Sequence, residues 1–271
     1  MALNIDYTDK IVVVIGGTSG INRGIAELFA KHGANVAVAS RNPNKVDDTV
    51  SSLKKFGDRA MGFCADVRDF DAIVAGVNDV KKNMGGFDVV VSGAAGNFPA
   101  MANDLSPNGF KAVVDIDLRG TFHVMRAIFP HLKKPGASII NISAPQALIP
   151  MMGQIHVCAA KAGVDMITRT LALEWASSGV RINSIVPGPI DGTEGMTRLA
   201  PTEEARQNTI RGVPLGRMGI PEDIGKACLF LGSDLASYIT GAILPVDGGW
   251  AQNNCGGMSS YLSDLLAVHK S

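Results

Sequence analysis

The sequence predicts an α/β protein, a single-domain Rossmann-like doubly wound parallel β-sheet with helices on both faces. Short β-branched apolar runs alternate with helix-period segments along the chain. The first of those runs leads directly into a glycine-rich turn and then a helix. The 271 residues contain no internal repeat, low-complexity tract or linker, so one domain spanning 1–271 is expected.

Residues 10–15 (Lys-Ile-Val-Val-Val-Ile) form a continuous apolar run, which suits a parallel strand buried on both faces. Glycines follow, then Gly24 to His32 at helical spacing through Ile25, Leu28 and Phe29. Gly33 ends that helix, and Asn35 to Ala39 reads as the second strand. Further strands are predicted at Ala60–Cys64, Val89–Ser92, Ser138–Ile142, Arg181–Val186 and Ala242–Pro245. Helices are expected between them, including one from His156 to Ala176. Residues 194–216 read as a substrate lid and 250–271 as a C-terminal tail.

A composition of 46% hydrophobic and 18% charged residues excludes a disordered chain. Lys plus Arg equals Asp plus Glu at 25 each, so the basic excess of a nucleic-acid partner is missing. No apolar run reaches transmembrane length, and no membrane partner is expected. Cys64, Cys158, Cys228 and Cys255 form no CxxC and have no His at metal-ligand spacing, so free thiols and no metal are expected. The N-terminal Met-Ala-Leu-Asn-Ile-Asp-Tyr lacks a signal-peptide pattern, and His269-Lys270-Ser271 is not the Ser-Lys-Leu address. A cytoplasmic location is the expectation.

The chemistry starts at Val14-Ile15-Gly16-Gly17-Thr18-Ser19-Gly20-Ile21-Asn22. Gly16 permits the tight turn, Gly20 lets backbone approach a pyrophosphate, and the helix beyond points free N–H groups at the phosphates. A ligand-free glycine turn is the plainer alternative, but the preceding buried strand and following amphipathic helix supply the required context. Residues 16–21 are therefore candidate nucleotide contacts. The second strand ends at Ser40-Arg41, with no acidic residue there to hold a ribose 2′-hydroxyl. Arg41 offers a guanidinium fork to a 2′-phosphate, which favours NADPH over NADH.

At this point the chain resembles the short-chain dehydrogenase/reductases over nearly its whole length. Gly16 and Gly20 match their TGxxxGxG turn, although Ile15 stands for the Thr and Asn22 for the last Gly. Asp66-Val67 resembles the pair at the adenine ring. Gly93-Ala94-Ala95-Gly96 resembles the NAG turn, with Gly93 in place of Asn. Pro187-Gly188-Pro189-Ile190 with Thr193 resembles the segment at the nicotinamide carboxamide, and Lys161 matches the Lys of YxxxK. The resemblance implies cofactor contacts at all of these positions, with Lys161 on the nicotinamide ribose.

Three positions depart. Val157 stands at the family's Tyr, Ala144 at its Ser, and Asp117 at the Asn of the central helix. Neither Val157 nor Ala144 can donate a proton to a carbonyl. The 2,4-dienoyl-CoA reductases dispense with that Tyr, and the sequence is most similar to their peroxisomal-type members. Shared stretches include Ala94-Ala95-Gly96-Asn97-Phe98, Asp115-Ile116-Asp117, Ala160-Lys161-Ala162, and Pro187 to Ile190 continuing through Gly192-Thr193-Glu194-Gly195. The resemblance implies NADPH-dependent reduction of a 2,4-dienoyl-CoA, or a related unsaturated acyl thioester, to a 3-enoyl-CoA in unsaturated fatty acid β-oxidation. It further implies a homotetramer, and substrate contacts at Arg41, Arg68, Phe98 and Arg198.

Three residues are candidate catalytic groups: Lys161, Asp165 and Asp247. Lys161 and Asp165 lie four apart on one helix face, so Asp165 is expected to orient a proton-relay water. The plainer reading is a helix ion pair. Asp247, after the last strand, either faces substrate or folds onto its own Gly-Gly turn. His156 is five residues from Lys161 and points off the Lys face. Ser143 is expected to face away from Ala144. In the expected lid, Met196, Leu199 and Val213 would cover an acyl chain, with Arg198, Arg206 and Arg211 meeting water or phosphates. Two other functions stand beside this one. A ketoacyl or enoyl thioester reductase would need a displaced donor, such as Tyr261. A non-catalytic NADP-binding regulator would need no proton donor.

Overall fold

The computed structural model describes residues 5–57 and 59–253. In chain order these are β1 (Ile11–Ile15), α1 (Gly20–Lys31), β2 (Asn35–Ser40), α2 (Pro43–Leu53), β3 (Ala60–Cys64), α3 (Phe70–Met84) and β4 (Val89–Ser92). Then come α4 (Pro107–Val113), α5 (Gly120–Ile128), β5 (Ser138–Ile142), α6 (Ile155–Trp175) and β6 (Arg181–Pro187). α7 (Glu194–Leu199), α8 (Glu203–Arg211), α9 (Pro221–Gly232) and β7 (Ile243–Val246) complete the order. All seven strands fall within one residue of their expected bounds. The first helix begins four residues earlier than its apolar spacing suggests, at Gly20. Cys255, Tyr261 and most of the expected tail lie outside the described residues.

The strands make one parallel sheet in the order β3-β2-β1-β4-β5-β6-β7. Alternate side chains of each strand feed two cores. Val13, Ile15, Ala37 and Ile139 pack under α3, α5 and α6. Val12, Val14, Val38 and Ile140 pack under α1, α2 and α9. Each such Val or Ile side chain contributes about 1.5–3 kcal/mol of burial. The strand order reverses between β1 and β4, and a ligand crevice forms outside the carboxyl ends of strands at such a point.

Sequence-local signals set the helix starts nearest that crevice. Asn42 accepts from the Lys45 N–H and precedes Pro43 at the start of α2, and Asp69 accepts from the Ala72 N–H at the start of α3. α4 and α5 are halves of one helix joined by a π-helical turn, Val114–Arg119. That wider turn carries Asp115 and Arg119 on one face, where they pair at 3.1 Å, while Asp117 two residues on is turned inward and buried.

Candidate active site

The glycine turn opens a groove of about 620 Å³ lined by Gly16, Thr18, Ser19, Ser40, Arg41, Lys45, Asp66, Val67, Ala94 and Ala95. Gly16 has φ +79°, and a Cβ there would meet the Ala94 nitrogen at 2.9 Å. Ser19 precedes α1 without capping it by its side chain, so the first-turn N–H groups are free for phosphate oxygens. Arg41 is largely exposed beside Asn42 and Lys45 at the groove's end. An uncapped helix start, a turn that only glycine fits and exposed cations at the 2′ end fit an NADPH molecule. Gly17 lines no part of the groove. Its missing Cβ lets the turn lie on Val14 and Val38.

Two of the three departures in the glycine motifs, Asn22 and Gly93, turn out to be one. The Asn22 amide donates to the Gly93 carbonyl at 2.7 Å, and a Cβ on Gly93 would sit 2.4 Å from that amide. Asn replaces Gly in the first turn and Gly replaces Asn in the second, and the two positions touch.

The groove runs on into a cleft of about 540 Å³ lined by Gly20, Ile21, Gly96, Pro187, Gly188, Ile190 and Thr193 on its cofactor side. Across from them stand Ala144, Pro145, Met151 and Val157 with Met196 and Leu199 of the lid. Val157 and Ala144 thus leave apolar walls where the family holds its proton donors. The cleft floor carries two charges. Lys161, 6% exposed, donates to the Ile142 carbonyl at 3.0 Å and stands 3.3 Å from Asp117, 1% exposed. Asp117 Oδ1 accepts from the Gly96 N–H at 2.7 Å, while Oδ2 has no hydrogen bond. An ammonium has three donors, so this buried pair retains both a donor and an acceptor for a bound group.

Two expected catalytic groups are placed elsewhere. Asp165 is not the ion-pair partner of Lys161 and does not line the cleft. Its carboxyl, 2% exposed, lies behind the cleft wall beside the Ser143 and Ser184 hydroxyls. Burial pushes its pKa up, and neither oxygen makes a hydrogen bond of normal geometry. Ser143 contributes to the wall just past β5, with its hydroxyl buried. Asp247 takes its turn reading. Its two oxygens accept from the Gly249 and Ala251 N–H groups, both at 2.8 Å, and it faces a separate cavity with Pro214 and Arg217.

Asp117 was legible only as a departure from Asn. Its role needs the π-turn, which the apolar spacing does not reveal. His156 is fully buried, off the Lys face as expected, with its ring 4.7 Å from Phe98. Phe98 is half-exposed and packs on His156 rather than lining the cleft wall. Arg198 pairs with Glu194 at 3.4 Å and reaches the Asn97 carbonyl across the mouth. Arg68 binds Asp66 at 2.6 Å outside the nucleotide groove, and its guanidinium holds that carboxyl below the ordinary range. Val213 does not cover the cleft, because it is buried against Gly248. Arg206 grips Asp191 with two bonds of 2.7 and 2.9 Å, and Arg211 bonds Asn208.

A family model described as enoyl-(acyl carrier protein) reductase matches residues 16–251. The chain is 44% identical to a peroxisomal 2,4-dienoyl-CoA reductase ((3E)-enoyl-CoA-producing) of Arabidopsis thaliana, over 89% of this chain and 84% of that one. It is 40% identical to the protein of the same description from Pongo abelii, over 94% and 89%. Among solved structures, a short chain dehydrogenase from Bacillus anthracis superposes with a TM-score of 0.80 at 38% identity, covering 89% of this chain and 96% of that one.

Proposed function

The chain belongs to the enoyl-(acyl carrier protein) reductase family of short-chain dehydrogenase/reductases, and on that premise we propose that it reduces 2,4-dienoyl-CoA thioesters to 3-enoyl-CoA with NADPH. The observation that carries this reading is the cleft floor. The paired Asp117 and Lys161 lie beneath apolar Val157 and Ala144, where ketone chemistry would need a Tyr and a Ser. A conjugated thioester needs no donor at a ketone oxygen.

NADPH, when bound, supplies a hydride to the far end of the diene. The protein's residues handle the charge and the proton. Lys161 stabilises negative charge that develops on the thioester oxygen, in a buried floor where the attraction is stronger than in bulk solvent. The unbonded Oδ2 of Asp117 holds a water against the Lys161 ammonium; that water gives a proton to the α-carbon as it takes one from the ammonium, which regains its proton from solvent. Gly96 fixes Asp117 through its N–H, so the acceptor is preorganised. Arg41 binds the 2′-phosphate, with Lys45 beside it. Asp165 acts behind the wall as a positioning group rather than as the water's holder.

The assembly is a homotetramer in this reading, supported by apolar side chains on α5 and α6 that are exposed among the described residues: Phe122, Met166 and Leu173. A reducing cytosol is the proposed compartment, supported by Cys64, Cys158 and Cys228 being free among the described residues.

The deciding assay mixes purified protein, NADPH and 2,4-decadienoyl-CoA. The expected result is loss of nicotinamide absorbance with 3-decenoyl-CoA as product and no turnover of a β-ketoacyl-CoA. Turnover of the ketone instead would overturn the reading, and NADPH binding without turnover of either would leave the regulator.

A further inference from the structure

The cleft that holds the Asp117 and Lys161 floor has a second end, which takes no part in the chemistry above. Its lining follows the carboxyl edge of the sheet. The two charges sit past β4 and β5, held by the Gly96 N–H and the Ile142 carbonyl. Gly188 continues the lining past β6, where a Cβ would meet the Asp247 Cα at 2.6 Å. Trp250 lines the cleft past β7, the last strand of the sheet. The mouth lies back toward β4, where Arg198 reaches the Asn97 carbonyl. Neighbouring strands are about 4.8 Å apart, so two spacings put the β7 end roughly 10 Å from the β5 end that Lys161 touches.

Trp250 is half-buried and firmly seated. The Asp247 carboxylate accepts from the N–H groups on either side of it, those of Gly249 and Ala251, both at 2.8 Å. The Asp247 carbonyl accepts the Trp250 N–H at 3.1 Å. Two more bonds tie this turn to the segment that follows α8. The Asn253 amide donates to the Gly212 carbonyl at 3.0 Å, and the Leu215 N–H donates to the Gly248 carbonyl at 3.1 Å. A Cβ on Gly212 would come 3.5 Å from the indole nitrogen, so the ring's edge rests on the end of α8. An indole so placed is a large apolar face with little rotamer freedom left to lose. Pro145, Met151 and Leu199 make the lining between it and the floor apolar as well. Leu199 is half-exposed and marks the side open to solvent.

Resting on the reductase reading, we infer that Trp250 is the end wall of the acyl site and sets the length of chain that the cleft can bury. A zigzag of single bonds of about 1.5 Å gains about 1.3 Å per carbon, so about eight carbons beyond a thioester carbonyl at Lys161 cover the distance to the β7 end. Chains of up to about ten carbons thus fit ahead of the indole. The tail of a longer chain turns out past Leu199 into water and gains nothing by its length. Each methylene that is buried instead strengthens binding about fourfold. The roughly 200 Å² of an indole matches several methylenes at about 30 Å² each, so removing the ring makes room for a longer tail.

The test measures kcat/KM with NADPH on the 2,4-hexadienoyl, 2,4-decadienoyl and 2,4-tetradecadienoyl thioesters of CoA. In the parent it is expected to climb from hexadienoyl to decadienoyl and stay level to tetradecadienoyl. In Trp250→Ala it keeps climbing, so the ratio of tetradecadienoyl to decadienoyl exceeds the parent's by about tenfold, with the gain in KM. Trp250→Phe, with a smaller ring, falls between the two. A ratio in Trp250→Ala equal to the parent's overturns the end wall, and so does a parent whose kcat/KM goes on climbing past decadienoyl. Fluorescence reads the wall without turnover and without altering it. The sequence has two tryptophans, and Trp175 packs on Phe129 at the far end of α6 from Lys161. In Trp175→Phe the emission therefore comes from Trp250 alone. With NADP⁺ present, decanoyl-CoA, which has no double bond to reduce, is expected to shift that emission to the blue as the chain tip covers the indole, whereas butyryl-CoA leaves it in place. Identical spectra with the two thioesters overturn the proposal. If decadienoyl-CoA is not reduced but decanoyl-CoA alone shifts the emission, the end wall stands and the reductase reading falls. Reduction with no shift and no change in the ratio removes the wall and leaves the reductase.

Discussion

At the scale of single residues, the contact between Asn22 and Gly93 shows how two departures from a motif can be one rearrangement. Each alone looks like damage to a nucleotide turn. Together they exchange a side chain across the same gap, and the Asn22 amide satisfies the Gly93 carbonyl. Asn22→Gly is expected to cost about 1–3 kcal/mol by leaving that carbonyl bare. Gly93→Asn forces two amides into one space and should cost more. The double exchange should recover most of the parent's Tm and NADPH affinity, and additive losses in thermal melts would refute the coupling. Both positions were visible in the sequence as departures, but that they meet was not, since they lie on different strands' turns.

Asp165 gives a second residue-scale test. Burial holds its carboxyl above the ordinary value. Such a group favours the folded state most at pH below the ordinary carboxylate pKa, and the contribution is lost as pH rises through the folded pKa. Asp165→Asn, neutral at every pH, should match the parent's Tm near pH 3.5–4 (about the ordinary carboxylate range) and exceed it by several degrees at pH 8. A Tm difference independent of pH would show that folding leaves the Asp165 carboxyl at its ordinary pKa.

At the scale of elements, the proposed lid is anchored by two contacts far apart along its length. Arg206 of α8 grips Asp191 just after β6, and Val213 is buried against Gly248. Between these anchors, α7 presents Met196 and Leu199 to the cleft and Arg198 to its mouth. The Arg206 hydrogen bonds hold Asp191 down to about 2. The clamp is therefore fully present above the ordinary carboxylate pKa and is lost only as pH falls toward 2, so it stays shut across any enzymatic pH range. Arg206→Gln should raise the KM for the thioester several-fold and speed proteolysis within residues 200–212, with Tm nearly unchanged because both partners are partly exposed. Unaltered protease sensitivity would show that the clamp does not hold the lid. The strands were legible from the sequence because fully buried parallel strands write themselves as unbroken β-branched runs. The contacts that hold residues 194–216 were not legible: Val213 reads as an acyl contact until Gly248 is found beneath it. The π-turn was not legible at all, because one surplus residue scarcely disturbs the helical apolar spacing around it.

At the scale of the whole molecule, two groups of exposed apolar side chains bear on assembly. Phe110, Phe122, Met166 and Leu173 lie on α4, α5 and α6, and Leu235 and Tyr238 lie between α9 and β7. Two apolar faces on one protomer suit two kinds of two-fold contact, and two perpendicular two-folds make a tetramer. Light scattering at micromolar concentration should give four chains per particle. Charging one face with Met166→Glu and Leu173→Glu should leave dimers that still bind NADPH, since neither residue borders the nucleotide groove. A monomeric parent would contradict this.

The π-turn has a consequence for reading genomes. A π-turn is an α-helix with one residue to spare. A homologous chain shorter by one residue between Ser106 and Ile128 can keep both flanking helical segments and their buried faces. It cannot keep both Asp117 inward and Arg119 outward, because the residue lost belongs to the wider turn and each remaining turn residue is re-placed by up to about 100° around the helix axis while the flanks stay in phase. A single-position gap in that stretch therefore marks a relative that shares the architecture without the Asp117 and Lys161 floor. A chain of full length there, carrying the aspartate, is one in which to look for the same reduction.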